Sequence, residues 1–336
     1  MTPGGTYGML KQKWSKCVFG HELCDLLVLD EASQMNLPEA VMAALPMKAD
    51  APLVVVGDHR QMPPIVKHDW DRETRRTFRQ YQVYESLFDT LRSQNPPMIR
   101  FAESFRLHAV MAEFLRQEVY RHDGIHYHSK QTDLLPAHDH EDDLVSAVLR
   151  PEFPLVVVTH DEADSQVRNP FEQALIEPVL RALADPKRYG LDAVDGLGIV
   201  VPHRAQRAAL QQAFPELCIM DAATGMPVRS AVDTVELFQG GERTVILVSA
   251  TESDRAYLLA SAGFLLDPRR LTVALSRAKQ KMILVASRSI FSLFSTDEET
   301  FANSLLWKNL LLRTCSTLLW EGERGGKKVA VWGGKG

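Results

Sequence analysis

Short apolar runs that stop at acidic residues set the pattern of the chain. Leu26–Leu29 is followed by Asp30 and Glu31, and Leu53–Val56 is followed by a Gly-Asp pair. Between these runs a helix is expected from Pro38 onwards, since proline suits the first turn of a helix. Apolar runs of this length bounded by polar residues are typical of buried parallel strands. The sequence therefore predicts a right-handed β-α-β unit.

The same alternation returns in the second half of the chain. The expected strands are Leu155–Val158, Leu197–Val201, Val232–Val235, Thr244–Ser249 and Met282–Ala286, and the expected helices are Phe171–Leu183 and Arg204–Ala213. Strands that alternate with helices in this way predict two doubly wound α/β domains.

Three polar segments suggest how the chain is divided. Ser93–Pro97 contains two prolines and predicts a domain boundary, and Lys130–Asp143 has the composition of a surface loop. The glycine- and lysine-rich segment Gly322–Gly336 surrounds a short Val-Ala-Val-Trp run and is expected to be poorly ordered. We expect a first domain over residues 1–97, a second over 98–300, and a C-terminal helix with a flexible tail over 301–336.

Composition excludes some classes of protein. Of the 336 residues, 45% are hydrophobic and 24% are charged, as in ordinary globular domains. No apolar run approaches the ~20 residues needed to span a bilayer, and the first residues lack a signal peptide. A cytoplasmic protein with no membrane partner is therefore expected. The net charge of −5 argues weakly against a dedicated nucleic-acid binder, although a local groove can still bind a single strand.

The cysteines and histidines do not suggest a metal centre. The four cysteines are scattered and form no C-x-x-C pair, which disfavours a zinc cluster and a disulfide framework. His122, His126 and His128 crowd one segment, but their spacing matches no strong ligand motif.

The acidic pair after the first strand is the first candidate for chemistry. Asp30 and Glu31 follow a buried strand, and the carboxyl ends of such strands are where α/β proteins place their sites. One carboxylate there can hold Mg²⁺ while the other orients a water molecule. In isolation, a pair of solvated acids at a strand end is an equally good interpretation.

The surrounding residues make a family resemblance specific. Residues 30–34 read D-E-A-S-Q, similar to the Walker B motif of Upf1-like superfamily 1 helicases of the DNA2/NAM7 type, and residues 57–64 read G-D-H-R-Q-M-P-P, similar to their G-D-x-x-Q-L-P-P motif. The resemblance implies that Asp30 is the Mg²⁺ ligand and Glu31 the base that activates water. It also implies that Gln61 senses the γ-phosphate, a role suited to an amide that both donates and accepts hydrogen bonds.

Further motifs follow in the order of that family. Residues 103–108, E-S-F-R-L-H, resemble Q-Y-R-M-H and put Arg106 in the place of a phosphate-contacting arginine, although a surface arginine on a helix cap is an open alternative. Asn169 and Glu172 fit an N-x-x-E-A helix start. Pro202, His203 and Gln206 lie in a stretch that resembles P-Y-x-x-Q, which faces nucleic acid in the family.

The last two motifs are the most specific ones. Residues 232–242 match V-D-x-x-x-x-F-Q-G-x-E; the resemblance places Glu242 and Gly240 at the nucleotide and Gln239 in the adjacent coupling loop. Residues 271–279 match L-N-V-A-L-T-R-A-R and make Arg277 an arginine finger. A guanidinium supplied by the second domain neutralises charge on the transferring phosphoryl group.

One family motif is missing from the sequence. No G-x-x-x-x-G-K-[ST] loop occurs, and without its backbone amides and lysine the affinity for ATP should fall by orders of magnitude. Only 29 residues precede Asp30. The resemblance therefore implies two RecA-like P-loop NTPase domains, the first incomplete at its N-terminus and the second complete. We interpret the chain as a fragment or one half of a split motor, completed by an upstream polypeptide that supplies the loop.

Three functions remain under consideration. The leading one is part of an ATP-dependent helicase or translocase that uses ATP and Mg²⁺ to move on single-stranded DNA or RNA. The second is a catalytically inactive nucleic-acid-binding or protein-interaction fragment of such a motor, favoured by the missing loop. A generic P-loop ATPase acting on protein is disfavoured, because the combined motifs belong to helicase-like motors.

Overall fold

Two units make up the chain. In a computed structural model, the residues that can be described are 2–5, 8, 22–65, 85–220, 227–238 and 241–335. Contacts within the chain separate unit 1, Met1–Ile99, from unit 2, Arg100–Gly336. No helix among the described residues combines the length and the apolar character needed to cross a membrane.

Unit 1 is built around a β-α-β unit, as the sequence predicts. Its elements are β1 (Leu27–Leu29), a 3-10 turn (Ala32–Gln34), α1 (Leu37–Ala44), β2 (Leu53–Val55) and α2 (Leu87–Arg92). Strands β1 and β2 are parallel. Helix α1 begins with a capping box, in which Asn36 accepts from the Glu39 amide and the Glu39 carboxylate accepts from the Asn36 amide. The predicted proline lies in its first turn, where a missing N–H costs nothing.

The two faces of this small sheet differ. On one face, Leu29 packs with Ala40 and Leu87 in a core cluster. On the other face, Val28 and Val54 lie opposite each other in the ladder and are 53% and 44% exposed. Parallel sheets are normally covered on both faces, so this exposed apolar face is unusual.

Unit 2 contains a larger sheet. Its elements are β3 (Glu103–His108), α3 (Ala109–Glu118), β4 (His128–Gln131), α4 (Asp143–Val148), β5 (Leu155–His160), α5 (Pro170–Ala184), β6 (Leu197–Val200), α6 (Arg204–Ala213), β7 (Cys218–Met220), β8 (Pro227–Ser230), β9 (Val232–Asp233), β10 (Arg243–Ser249), α7 (Arg255–Ala260), α8 (Ala262–Leu265), α9 (Pro268–Ser276), β11 (Ala278–Ser287), α10 (Arg288–Phe291), α11 (Glu298–Asn309), β12 (Thr317–Arg324) and β13 (Lys327–Gly334). Short 3-10 turns lie at Tyr120–Asp123, Pro215–Leu217 and Val235–Phe238, and a π-helical turn at Leu310–Thr314.

The main sheet of unit 2 has seven strands in the order β12-β13-β5-β11-β10-β6-β9. Five adjacent strands of this sheet run parallel to one another, namely β5, β11, β10, β6 and β9. Strands β5 and β6 are buried at every residue. Such runs need cover on both faces, and residues of α5 and α6 join the same core cluster as the strands. The result is a mixed α/β fold around a mainly parallel sheet.

The C-terminal tail is a β-hairpin, so the prediction that it is flexible is wrong. Strand β13 pairs antiparallel with β5 along six residues and with β12 on its other side. Val329, Ala330 and Val331 are fully buried. The turn consists of Gly325 and Gly326, whose φ angles of 52° and 73° are the left-handed values that two-residue hairpin turns require.

One predicted strand is shorter than expected. Val232–Val235 was expected to be extended, but β9 ends at Asp233 and Val235–Phe238 form a 3-10 turn. Phe238 of this turn packs against β6 at Gly198, where an added Cβ would lie 2.8 Å from the Phe238 ring. A larger residue at position 198 would therefore clash with this turn.

Candidate nucleotide and nucleic-acid sites

The acidic pair of unit 1 lies at the carboxyl edge of its sheet. Asp30 follows β1, and Asp58 follows β2. The segments that follow the two strands stay hydrogen-bonded to each other beyond the ladder. The Val56 amide donates to the Leu29 carbonyl (2.8 Å), and the Ala32 amide donates to the Val56 carbonyl (2.8 Å). Both Walker B-like and G-D-x-x-Q-like segments therefore leave the sheet at the same edge.

Glu31 is held in an unusual conformation. Its φ of 53° is left-handed, which costs a residue other than glycine about 1–2 kcal/mol. Its amide donates to Asp30 Oδ1 (2.9 Å), and its Oε2 accepts from Gln34 Nε2 (3.0 Å). Both acids are exposed. A strained turn that presents two solvent-accessible carboxylates is suited to chemistry.

Gln61 is fixed by the turn that follows β2. Its Nε2 donates to Asp58 Oδ2 (3.1 Å) and its backbone amide to the Asp58 carbonyl (3.1 Å). Gly57, before this turn, packs so closely that an added Cβ would lie 2.8 Å from Phe88 and 2.9 Å from the Ser33 amide nitrogen. The glycine thus lets the Gln61 turn sit directly against the turn that carries Glu31.

The donor set at Asp30 fits Mg²⁺ bound with outside ligands. No group of three or more His, Cys, Asp or Glu side chains suited to a metal occurs within the described part of the chain. Mg²⁺ commonly takes one or two carboxylates and completes its shell with water and phosphate oxygens. Asp30 offers such a carboxylate in the open.

In unit 2, one carboxylate joins two cations. Glu242 Oε2 accepts from Arg106 Nε (3.0 Å), and Glu242 Oε1 pairs with Lys279 Nζ (2.6 Å). The hydrogen bond from Lys279 holds the pKa of the Glu242 carboxyl below its ordinary value. Arg106 lies on strand β3 and not at a helix cap, which removes the helix-cap alternative.

Arg277 lies beside this cluster in sequence, but its side chain is enclosed. It ends helix α9, its residue is 2% exposed, and its carbonyl accepts from the Arg243 amide (2.9 Å). The preceding carbonyl, of Ser276, lies 3.5 Å from Arg106 Nη1. The backbone at Arg277 is thus next to the Arg106 guanidinium. Gln239 and Gly240, also predicted here, lie outside the described residues.

The predicted nucleic-acid segment divides into an accessible part and a buried part. Pro202 and His203 are partly exposed, and His203 Nε2 lies 2.7 Å from Oε1 of the buried Glu252. Gln206 is fully buried; its Oε1 accepts from the Asn169 amide (2.9 Å) and its Nε2 donates to Ser249 Oγ (3.3 Å). The expectation that Gln206 faces nucleic acid does not fit this placement, because both ends of its amide are used inside the fold.

Sequence reasoning missed a buried polar network beneath these motifs. The Glu172 carboxylate accepts from the Thr251 amide (2.9 Å) and from Ser249, and lies 3.0 Å from His160 Nε2. Asn169 caps α5 and donates to the Thr251 carbonyl (3.0 Å). The N-x-x-E start of α5 thus anchors the loop after β10, and the unusual run of polar residues there, S-A-T-E-S-D, was the available signal.

Comparisons with known proteins agree with the motifs. A family profile described as "AAA domain" matches residues 83–289, more than half of the chain. The DNA replication ATP-dependent helicase/nuclease JHS1 of Arabidopsis thaliana is 28% identical over 279 residues, which cover 80% of this chain and 19% of that protein. The Regulator of nonsense transcripts 1 homolog of Drosophila melanogaster is 27% identical over 296 residues, 85% of this chain and 22% of that protein.

A third relative and one solved structure are also similar to this chain. The DNA replication ATP-dependent helicase/nuclease DNA2 of Mus musculus is 26% identical over 296 residues, 82% of this chain and 26% of that protein. The solved structure of the PRRSV helicase aligns at a TM-score of 0.37 and 12% identity, covering 90% of this chain and 41% of that chain, a likeness too low to build on. The chain spans about a fifth to a quarter of the length of these curated relatives.

The profile match over residues 83–289 places this α/β chain in the AAA-domain class. Within that class, the chain belongs to the Upf1-like family of superfamily 1 helicases.

Proposed function

We propose that the chain is part of an ATP-dependent helicase or translocase that couples ATP hydrolysis to movement on single-stranded nucleic acid. The observation that carries this proposal is the common edge of unit 1, where Asp30 and Glu31 leave β1 beside the turn that holds Gln61. An exposed acidic pair beside a fixed amide provides the side chains that phosphoryl transfer to water needs.

The family resemblance suggests a role for each of the candidate site residues. In unit 1, Asp30 would hold Mg²⁺ and Glu31 would take the proton of the attacking water, while Gln61 would report the γ-phosphate. Bound Mg²⁺ would neutralise charge on the phosphates. In unit 2, Arg106 would stabilise the transferring phosphoryl group, and Glu242 with Gly240 and Gln239 would contact the nucleotide and couple it to the strand. The Arg277 side chain is buried, so it would have to rearrange before it could act as the arginine finger that the resemblance implies.

The strand-binding proposal centres on Pro202 and His203. Both are accessible at the carboxyl edge of the main sheet, at the start of α6. His203 also stacks on Phe264, with ring centroids 5.9 Å apart, so its ring is fixed before a ligand arrives. Gln206 would act from inside, by holding the start of α5 against α6.

A second polypeptide is proposed to supply the phosphate-binding loop. The sequence contains no G-x-x-x-x-G-K-[ST] motif, and unit 1 exposes Val28 and Val54 on a face that parallel sheets normally bury. A segment that carries the loop on a β-α unit could cover this face. In this proposal residues 1–97 are the remainder of a first RecA-like domain, and residues 98–300 form the second together with the C-terminal hairpin that extends its sheet.

The alternative function is an inactive module that binds nucleic acid or protein. The missing phosphate loop favours it. The exposed and strained placement of Glu31 argues against it, because an inactive module gains nothing from a strained residue.

ATP hydrolysis tests the proposal. The purified chain is assayed with and without single-stranded DNA and RNA, alone and with a polypeptide that carries a phosphate loop from the same family. Glu31→Gln is the test variant, and Glu177→Gln, an exposed glutamate on α5, is the matched control. Strand-stimulated turnover that Glu31→Gln abolishes and Glu177→Gln retains supports the motor. Strand binding without turnover under every condition supports the inactive module.

A further inference from the structure

Glu242 makes an ionic contact with each of its two oxygens. Oε1 lies 2.6 Å from Lys279 Nζ, and Oε2 lies 3.0 Å from Arg106 Nε. The carboxylate therefore stands between two cations that come from different strands. Without an anion between them, these two cations would repel each other.

The backbone fixes two of the three partners. Glu242 directly precedes β10, and Lys279 is the second residue of β11. These strands are parallel neighbours, with Arg243 paired to Ala278 in the ladder. The sheet thus holds the backbones of Lys279 and Glu242 close together, so that the ion pair forms between neighbouring positions.

The cluster is open to a ligand from solution. The side chains of Arg106, Glu242 and Lys279 are 38%, 43% and 37% exposed. Arginine and lysine donors that converge on two oxygens of one carboxylate can equally converge on the oxygens of a phosphate. The hydrogen bond from Lys279 lowers the pKa of the Glu242 carboxyl. The carboxylate is therefore charged at neutral pH and competes with other anions for both cations.

We propose that Arg106 and Lys279 form a phosphate-binding pair, that Glu242 occupies this pair in the absence of nucleotide, and that incoming phosphates displace the carboxylate. The proposal rests on the proposed function for the identity of the phosphate donor, a nucleotide. It adds Lys279 as a ligand-binding residue and gives Glu242 a regulatory role. The freed carboxylate would then be available to the rest of the nucleotide.

Inorganic pyrophosphate is the probe that tests the displacement. Its affinity for the full chain is measured by isothermal titration calorimetry at low salt, with 31P NMR as a second readout. Glu242→Gln removes the competing charge and should tighten binding by about three- to tenfold, the range that partly exposed ion pairs support. Lys279→Met should weaken binding by a similar factor, and Lys279→Arg should restore it.

Opposite signs separate the effect from misfolding. A folding defect would weaken binding in both Glu242→Gln and Lys279→Met, whereas displacement predicts tighter binding in the first. Glu177→Gln controls for the change of net charge, since it removes a similar carboxylate from an exposed pair with Arg181. Unchanged or weaker binding in Glu242→Gln, or no loss in Lys279→Met, overturns the proposal.

The outcome is independent of catalysis. Pyrophosphate binding needs no hydrolysis, so the predicted signs in a chain that never turns over ATP would leave the phosphate pair standing while the motor proposal fails. Strand-stimulated hydrolysis together with unchanged pyrophosphate binding in Glu242→Gln and Lys279→Met would overturn only the phosphate-pair proposal.

Discussion

The two units carry their polar sites on very different scaffolds. Unit 1 presents Asp30, Glu31 and Gln61 on a two-stranded sheet whose described core cluster has five buried residues. Unit 2 presents Arg106 and its partners beside a seven-stranded sheet whose central strands are buried on both faces, as Val156 and Val157 of β5 show. The cationic side chains of unit 2 are therefore held by a well-buried sheet, whereas the carboxylates of unit 1 lie on a small sheet with one exposed apolar face.

The largest expected loss of stability comes from changing the buried polar network inside unit 2. Glu172 is fully buried; its carboxylate accepts from Ser249 at the end of β10 and from the Thr251 amide, and it lies 3.0 Å from His160 Nε2 on β5. Glu172→Ala leaves those donors unsatisfied and should lower the free energy of unfolding by roughly 3–5 kcal/mol. Urea unfolding followed by circular dichroism measures it. Glu177→Ala, five residues along the same helix and exposed, should change it by about 0.5 kcal/mol or less; equal losses in both variants would contradict this account.

A matched pair of valines sharpens the comparison between sheets. Val157 on β5 is fully buried, and Val28 on β1 is 53% exposed. Val157→Thr puts a hydroxyl into the core and should cost about 2 kcal/mol of unfolding free energy, while Val28→Thr should cost about 0.5 kcal/mol or less. Thermal and urea unfolding of both variants give the comparison. A large loss from Val28→Thr in the isolated chain would mean that its face is not open.

A buried lysine gives unit 2 a pH dependence of stability. Lys281 on β11 donates to the carbonyls of Arg150 and Phe153, and burial lowers its pKa from 10.5 to about 7. Between these two values the unfolded chain holds the proton and the folded chain does not, so stability rises with pH across this window. The slope is at most about 1.4 kcal/mol per pH unit.

The variant Lys281→Met removes this titration. Its unfolding free energy, followed by urea titrations from pH 7 to 10, should lose the rising slope relative to the native chain. Lys308→Met is the control, because Lys308 is partly exposed on α11. A slope that survives in Lys281→Met would assign the pH dependence to other groups.

The strands that could be predicted from the sequence are those formed by continuous apolar runs. Leu155–His160 and Leu197–Val200 are buried at every residue, so continuous hydrophobicity marks them. Strand β3 was missed because four of the six residues in its E-S-F-R-L-H pattern are polar and Phe105 is 77% exposed. The hairpin was missed because Gly325 and Gly326 suggested flexibility, although two adjacent glycines are equally a turn signal.

The site was predictable to the extent that strand ends define it. Asp30 and Glu31 could be placed at an edge from local sequence alone. The link between Glu242 and Lys279 could not, because it depends on two distant segments becoming neighbouring strands. The burial of Gln206 was hidden for the same reason: its partner Asn169 belongs to another helix.

We propose that ATP hydrolysis depends on Arg106 as well as on Glu31, and ATP turnover by Arg106→Met tests this proposal most directly. The assay uses the chain with whatever phosphate-loop polypeptide supports hydrolysis, and compares Arg106→Met, Glu31→Gln and the double variant. We expect Arg106→Met to lower kcat by roughly a hundredfold or more, and the double variant to be little slower than the slower single variant. An Arg106→Met chain that hydrolyses ATP at the native rate would contradict the account.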